Sequence, residues 1–155
     1  MHVPMSLPLD ALTTLAATVP SGAAPAAGGV RLLLRLEGLA VLLGATLLYS
    51  QFGEGWVLFA ALFFAPDLAI AAYAVGPRAG AAVYNAAHTY VGPIALATAA
   101  LLAGRPILAA AGLVWAAHIG FDRALGFGLK YATGFGHTHL SPAPRGAGRA
   151  ARGVG

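Results

Sequence analysis

Long apolar stretches separated by short polar links make up the middle of the chain. Four stretches approach or exceed the roughly 20 apolar residues that cross a bilayer; they cover residues 32–49, 57–75, 79–102 and 107–129. The links SQFGEG, VGPRAG and AGRP are short and rich in helix breakers, as is typical of connections between antiparallel neighbours. The pattern predicts an all-α polytopic membrane protein, a four-transmembrane-helix antiparallel bundle over residues 30–140.

The flanks and the composition fit this interpretation. Residues 1–29 are predicted to form a flexible leader rich in Ala, Pro and Gly, and residues 141–155 a disordered basic tail. Only 9% of the 155 residues are charged, against about 25% in soluble domains. The chain has no cysteine, which excludes disulfides and thiolate metal ligands. Its Ala, Gly, Arg and Pro content is typical of a bacterial source with a GC-rich genome.

Basic residues are distributed unevenly between the predicted links. In a four-span chain, one side of the bilayer holds Arg31, Arg35, Arg78, Lys130, Arg145, Arg149 and Arg152. The other side holds Arg105 alone. Because cytoplasmic segments carry an excess of Lys and Arg, both termini are predicted to be cytoplasmic. We expect a multi-pass protein of the bacterial inner membrane.

Ionisable residues recur inside the predicted spans, at similar depths. At about 1.5 Å per residue, Asp67, His88 and His118 lie near one level, just inside the midplane. Asn85 is three residues from His88, and Asp122 is four from His118, so each pair shares a helix face. These two residues and Glu37 form a second tier closer to the cytoplasm.

Pro66 and Pro93 flank the polar positions. We expect them to free backbone carbonyls that a buried site can use. Carboxylates inside a bilayer cost at least about 2.5 kcal/mol each, so the cluster points to function rather than to packing alone. Gly112, Gly120, Gly126 and Gly128 are predicted to be close-packing positions, and Gly126 and Gly128 are also candidates for ending the helix near Lys130.

Two imidazoles and a carboxylate at one level match the ligand set of a catalytic metal site. The predicted ligands of a zinc, iron or manganese ion are Asp67, His88 and His118, with His139 as a further candidate. Neither HxxxH nor HExxH is present. The other predicted roles are general base for Asp122 or Glu37, an orienting hydrogen bond for Asn85, and contacts to a lipid phosphate for Arg123 and Lys130.

These groups suggest a hydrolase of a lipid or small amphiphile, and two alternatives remain open. A small proton-coupled transporter would depend on Glu37, and a structural or assembly subunit would use the cluster only to hold helices together. The expected partner is the bilayer rather than nucleic acid, and a homo-oligomer is an open option. Arg123 is expected to reach Glu37 or the inner headgroups.

Four runs of sequence are distinctive, namely LLRLEGLAVLL, FAPDL, GPRAGAAVYNAAHTYVGP and HIGFDRALGFGLKYATGF followed by THL. Together they resemble a family of small bacterial four-helix membrane proteins, domain-of-unknown-function family 4260. The resemblance extends from Arg31 to Leu140 and implies the architecture without an activity. It gives weight to Glu37, Asp67, Asn85, His88, His118, Asp122, Arg123, Lys130 and His139. The chain departs from the family at His137, where an acidic residue is usual.

Overall fold

The regular elements in the described part of the chain are all helices. A computed structural model describes residues 28–52, 54–132, 136 and 138–140; the predicted tail and most of the predicted leader lie outside them. The elements are α1 (Gly28–Ser50), α2 (Trp56–Phe63), a 3-10 helix (Ala65–Ala74), α3 (Pro77–Ala87), α4 (Val91–Leu102) and α5 (Pro106–Leu125). Within these residues the only β pairing is an isolated bridge between Lys130 and Thr138. The predicted all-α class is confirmed.

Two helical stretches are long and apolar enough to cross a membrane, namely Gly28–Ser50 and the joined segment Trp56–Ala74. Both show most of their surface to the surroundings. On α1 alone the exposed leucines are Leu32, Leu33, Leu36, Leu39, Leu43, Leu47 and Leu48. A continuous apolar surface of this size needs an apolar environment or a partner. Among the described residues, length and composition thus support two of the four predicted spans.

The third predicted span, 79–102, is two helices rather than one. α3 ends at Ala87 and α4 begins at Val91, so His88, Thr89 and Tyr90 lie in a break between them. Pro93 explains the position, because a proline ring clashes with the carbonyl four residues earlier, here that of Thr89. The break leaves the carbonyls of Ala87 and His88 free to accept hydrogen bonds from side chains.

The second predicted span also changes at a proline, from α-helix to 3-10 helix. Regular α-helix stops at Phe63, and the chain continues as a 3-10 helix with Pro66 in its first turn. Pro66 has no N–H to donate to the carbonyl of Leu62, whereas the Asp67 N–H bonds to the Phe64 carbonyl at 3.2 Å. Asp67 therefore lies at the junction of the two helix types.

α5 is the central helix of the molecule and packs against α1, α2, α4 and the 3-10 helix. Its crossing with α1 is close because Gly38 faces Gly120. A Cβ at Gly120 would lie 2.7 Å from the carbonyl oxygen of Gly38. α5 ends at Leu125 rather than at the predicted residue 129, because Gly126 adopts a left-handed conformation with φ of 96°. The close-packing prediction for Gly120 is confirmed, whereas the helix ends at Gly126 and not near Lys130.

Candidate metal centre

Four side chains from three elements converge beside α5. Asp67 comes from the first turn of the 3-10 helix, and His88 is the residue directly after α3. His118 and Asp122 are one turn apart on α5 and share a face. We call these four residues the His–Asp tetrad. One ligand atom from each lies within 4.8 Å of all the others.

The spacing of the ligand atoms suits a metal ion. The two imidazole Nε2 atoms are 3.2 Å apart, and each is 3.5 Å from Oδ1 of Asp67. Oδ2 of Asp122 lies 3.6 Å from His88 Nε2 and 3.9 Å from His118 Nε2. In a tetrahedral site with metal bonds of about 2.0–2.2 Å, ligand atoms are separated by about 3.3–3.6 Å. The five distances that involve an imidazole nitrogen are close to these values.

Tyr84 orients both His88 and Asp122. Its carbonyl oxygen lies 2.9 Å from Nδ1 of His88, so Nδ1 carries the proton and the Nε2 lone pair faces the tetrad. Its ring stacks on the His88 imidazole with centroids 3.7 Å apart. Its hydroxyl donates to Oδ2 of Asp122 at 3.2 Å. Such outer hydrogen bonds fix the tautomer and direction of metal ligands.

Unlike His88, His118 has no hydrogen bond to a described residue at Nδ1, and packing positions the outer side of its ring. The ring of Phe63 meets its imidazole edge-on, with centroids 5.3 Å apart. Its Nδ1 is buried and has no hydrogen-bond partner among the described residues. Its Nε2 therefore makes all the polar contacts of this side chain, and these are within the tetrad.

The tetrad opens on the side of Asp67. The Asp67 side chain is 40% exposed, whereas those of His88 and His118 are 3% and 2% exposed. An apolar cavity of about 400 Å³, here called the Trp115 cavity, is lined by the sequence neighbours Pro66 and Ala87. The Trp115 indole N–H donates to the carbonyl of Ala87 at 2.6 Å, which uses one of the carbonyls freed by the helix break.

Asn85 and Lys130 lie next to the tetrad and support the segment after α5. The Asn85 side chain donates to the carbonyl of Lys130 at 2.8 Å and accepts from its N–H at 2.7 Å. The Lys130 ammonium lies 4.6 Å from the centre of the Tyr84 ring. Burial lowers the pKa of Lys130, and the nearby carboxylates of Asp122 and Asp67 partly oppose this.

Arg123, Glu37 and His139 lie in a different cavity, here called the Arg123 cavity. Arg123 donates to the carbonyl of His88 at 3.1 Å, and another of its guanidinium nitrogens lies 3.3 Å from Nε2 of His139. Among the described ion pairs, Arg123 has none with Glu37, which is exposed on α1. Burial and the positive charge of Arg123 lower the pKa of His139.

The structure thus brings together the three residues predicted at one depth and adds Asp122 to them. It separates two others from the tetrad, since Glu37 and His139 line the Arg123 cavity. The expected contact of Arg123 with Glu37 is replaced by contacts with His88 and His139. Trp115 was missed in the sequence. Its signal is an indole three residues before His118, far from either predicted interface.

Comparison with known proteins identifies a family, but the description of that family names no activity. No curated protein and no solved structure matches the chain. Residues 31–142 match a family described as Domain of unknown function (DUF4260), and this range includes the whole tetrad and both cavities. The match covers well over half of the chain and agrees with the resemblance carried by its sequence motifs. The chain therefore belongs to the DUF4260 family.

Proposed function

We propose that this protein is a membrane-embedded, metal-dependent hydrolase that acts on a lipid or another amphiphile. The observation that carries the proposal is the convergence of four ligand atoms, 3.2–3.9 Å apart along the measured edges, from the 3-10 helix, the end of α3 and α5. Buried imidazoles and carboxylates are the donors that first-row divalent metals prefer.

Zinc suits this donor set best. Two imidazole nitrogens and one carboxylate oxygen at nearly tetrahedral spacing match its preference and leave a fourth position for water, whereas iron or manganese would require further oxygen ligands. A bound divalent ion would supply polarisation of a water molecule or of a substrate carbonyl or phosphoryl oxygen. Its positive charge would also compensate the negative charges of Asp67 and Asp122, which lie beside the two buried imidazoles.

The four side chains differ in exposure, and this suggests a division of roles. His88, His118 and Asp122 are more enclosed and are oriented by Tyr84, Phe63 and the α5 backbone, so we assign them to metal binding. Asp67 is the most exposed member and lies at the opening. Its carboxylate can accept the proton of an attacking water as general base. This reverses the roles that the sequence suggested for Asp67 and Asp122.

The Trp115 cavity favours a substrate with an apolar part. Its lining is apolar, and two of its lining residues, Pro66 and Ala87, directly precede the tetrad residues Asp67 and His88 in the chain. A volume of about 400 Å³ accommodates part of an acyl chain, with the polar end of the molecule at the tetrad. The exposed apolar surfaces of α1 and of Trp56–Ala74 support a location in the bacterial inner membrane. Four spans with both termini in the cytoplasm remain part of this proposal.

Elemental analysis tests the metal site directly. The full chain is purified in mild detergent without a polyhistidine tag, and its metal content is measured beside His118→Ala and His139→Gln. We expect about one zinc, iron or manganese per chain in the wild type and in His139→Gln, and none in His118→Ala. His139→Gln is the matched control because it removes a half-buried histidine outside the tetrad. A metal-free, folded wild type would contradict the proposal.

The hydrolase activity needs a separate experiment. The metal-loaded protein is placed in nanodiscs of mixed bacterial phospholipids, and hydrolysis products are followed by mass spectrometry. We expect a product that disappears in His118→Ala and decreases in Ala111→Leu, which fills the Trp115 cavity but leaves the metal bound. If the protein binds metal but forms no lipid product, the assignment of hydrolase activity is overturned, whereas the proposal of a metal site still stands.

A further inference from the structure

The Arg123 cavity has a volume of about 460 Å³ and, unlike the Trp115 cavity, a charged lining. Its polar residues are Glu37 from α1, Tyr90 from the break before α4, Arg123 from α5 and His139 from the C-terminal segment. None of them belongs to the His–Asp tetrad. This lining requires a separate explanation because its hydrogen-bonding groups do not satisfy one another.

Two donors face each other in this cavity. Nδ1 of His139 accepts the N–H of Leu129 at 3.0 Å, so the proton of a neutral His139 is on Nε2. A guanidinium nitrogen of Arg123, which can only donate, lies 3.3 Å from that same Nε2. Neither group accepts from the other. Both need an acceptor, and an oxygen anion in the cavity would supply it.

A third donor lies beside them. The hydroxyl of Tyr90 is buried and has no hydrogen-bond partner among the described residues. Buried polar side chains are almost always paired, so an unpaired one calls for a ligand or an ordered water. A guanidinium, an imidazole N–H and a phenol O–H in one cavity match the several oxygens of a phosphate group.

Glu37 makes the site zwitterionic. Glu37 and Arg123 line the same cavity, yet no described ion pair within 4.0 Å joins them. With one acid and one permanent cation the lining is neutral overall, which disfavours a simple anion. A ligand with its own phosphate and amine would pair with both charges. Leu34 and Val41 of α1 add an apolar wall to the same cavity.

The geometry points to a binding site for a phosphoethanolamine group in the Arg123 cavity. Arg123, His139 and Tyr90 bind the phosphate, and Glu37 binds the ammonium. The site does not depend on the metal or on hydrolysis, because it shares no side chain with the tetrad. The apolar wall favours phosphatidylethanolamine of the surrounding bilayer as the source.

Binding is measured by 31P NMR on the full chain in a phosphate-free detergent. The protein is titrated with short-chain phosphatidylethanolamine, with short-chain phosphatidylglycerol and with soluble phosphoethanolamine. We expect saturable binding of phosphatidylethanolamine and at least about tenfold weaker binding of phosphatidylglycerol, which lacks the amine. If soluble phosphoethanolamine binds more weakly than phosphatidylethanolamine, the natural ligand is the lipid. If the two bind equally, the natural ligand is a soluble metabolite. Either result supports the binding site.

Three variants distinguish binding of the ligand's phosphate from binding of its ammonium group. Arg123→Gln should weaken binding of phosphatidylethanolamine by at least about tenfold, and Tyr90→Phe by about threefold. Glu37→Gln should abolish the preference for phosphatidylethanolamine over phosphatidylglycerol without preventing folding, because Glu37 is exposed. Arg78→Gln, an exposed arginine outside the cavity, is the matched control for Arg123→Gln.

The outcome is independent of the metal site. His118→Ala should bind phosphatidylethanolamine as the wild type does, so a failed metal experiment leaves this inference standing. Absence of saturable binding in the wild type would overturn it. An unchanged lipid preference in Glu37→Gln, or equal loss in Arg123→Gln and Arg78→Gln, would also overturn it.

Discussion

Tyr84 contacts two members of the His–Asp tetrad through different atoms, so one substitution can separate its two roles. Tyr84→Phe removes the hydrogen bond to Asp122 and keeps the stack on His88. Because outer hydrogen bonds of this kind tune ligand basicity, we expect metal affinity to fall by about tenfold. Competition with a metal indicator measures the change. Tyr131→Phe, an exposed tyrosine, is the control, and equal effects of the two variants would argue against this role.

His139 gives a pH-dependent contribution to stability. Burial and Arg123 lower its pKa, so the folded state favours the neutral ring more than the unfolded state does. The contribution is therefore fully present above the unfolded pKa of about 6.5 and is lost as the pH falls through that value toward the lower folded pKa. We expect the melting temperature of the wild type to fall more steeply between pH 7 and pH 5 than that of His139→Gln. Parallel profiles would contradict the assignment.

Depth along the predicted spans correctly indicates that Asp67, His88 and His118 are neighbours, but it places Asp122 too low. The rise of the backbone puts Asp122 one turn below His118. Residues four apart on one helix face are surface neighbours, with Cβ atoms about 5–6 Å apart, so Oδ2 of Asp122 still lies 3.9 Å from Nε2 of His118. The position of His139 could not be predicted, because the fold after Gly126 depends on Asn85 and on backbone pairing with Leu129.

At the scale of elements, the crossing of α1 and α5 depends on glycine. A Cβ at Gly120 would lie 2.7 Å from both the Gly38 carbonyl oxygen and the Leu42 nitrogen, and both are backbone atoms that cannot rotate away. We expect Gly120→Ala to destabilise the fold by about 1–3 kcal/mol, although alanine is the better helix former. Unfolding of helicity in a denaturing detergent measures this change.

Gly44→Ala is the matched control for that prediction. Gly44 is also within a helix, and a Cβ there would meet nothing within 4 Å. The intrinsic helix preference should then prevail, and we expect stabilisation of up to about 1 kcal/mol. If both variants shift stability in the same direction, close packing is not what places glycine at position 120.

The helix breaks show what the hydrophobic pattern can and cannot predict. The apolar run 79–102 has no charge, and its periodicity is typical of one long helix. Pro93 predicts free backbone carbonyls nearby, and the carbonyls of Ala87 and His88 accept hydrogen bonds from Trp115 and Arg123. The pattern gave no boundary, because the break follows from the clash at Thr89 together with tertiary hydrogen bonds that only the folded chain makes.

At the scale of the whole molecule, the tetrad joins parts of the chain whose backbones approach each other closely at few points. Asp67 and His88 belong to the 3-10 helix and the end of α3, which pack mainly against each other, whereas His118 and Asp122 belong to the central α5. A bound ion would tie the first pair of elements to the second. An ion that binds only the folded state stabilises it by about 2.7 kcal/mol when its concentration is a hundred times its dissociation constant.

Metal removal should therefore loosen one half of the molecule more than the other. We expect a chelator to lower the melting temperature of the full chain in detergent, and an equimolar divalent ion to restore it. Hydrogen exchange should increase in the 3-10 helix and α3 and change little where α1 crosses α5, since that crossing depends on Gly38 and Gly120. His118→Ala should already exchange like the chelated wild type and should not respond to the chelator. If the chelator changes the wild type and His118→Ala equally, the stabilising ion is bound elsewhere, and the tetrad serves only to pack the helices.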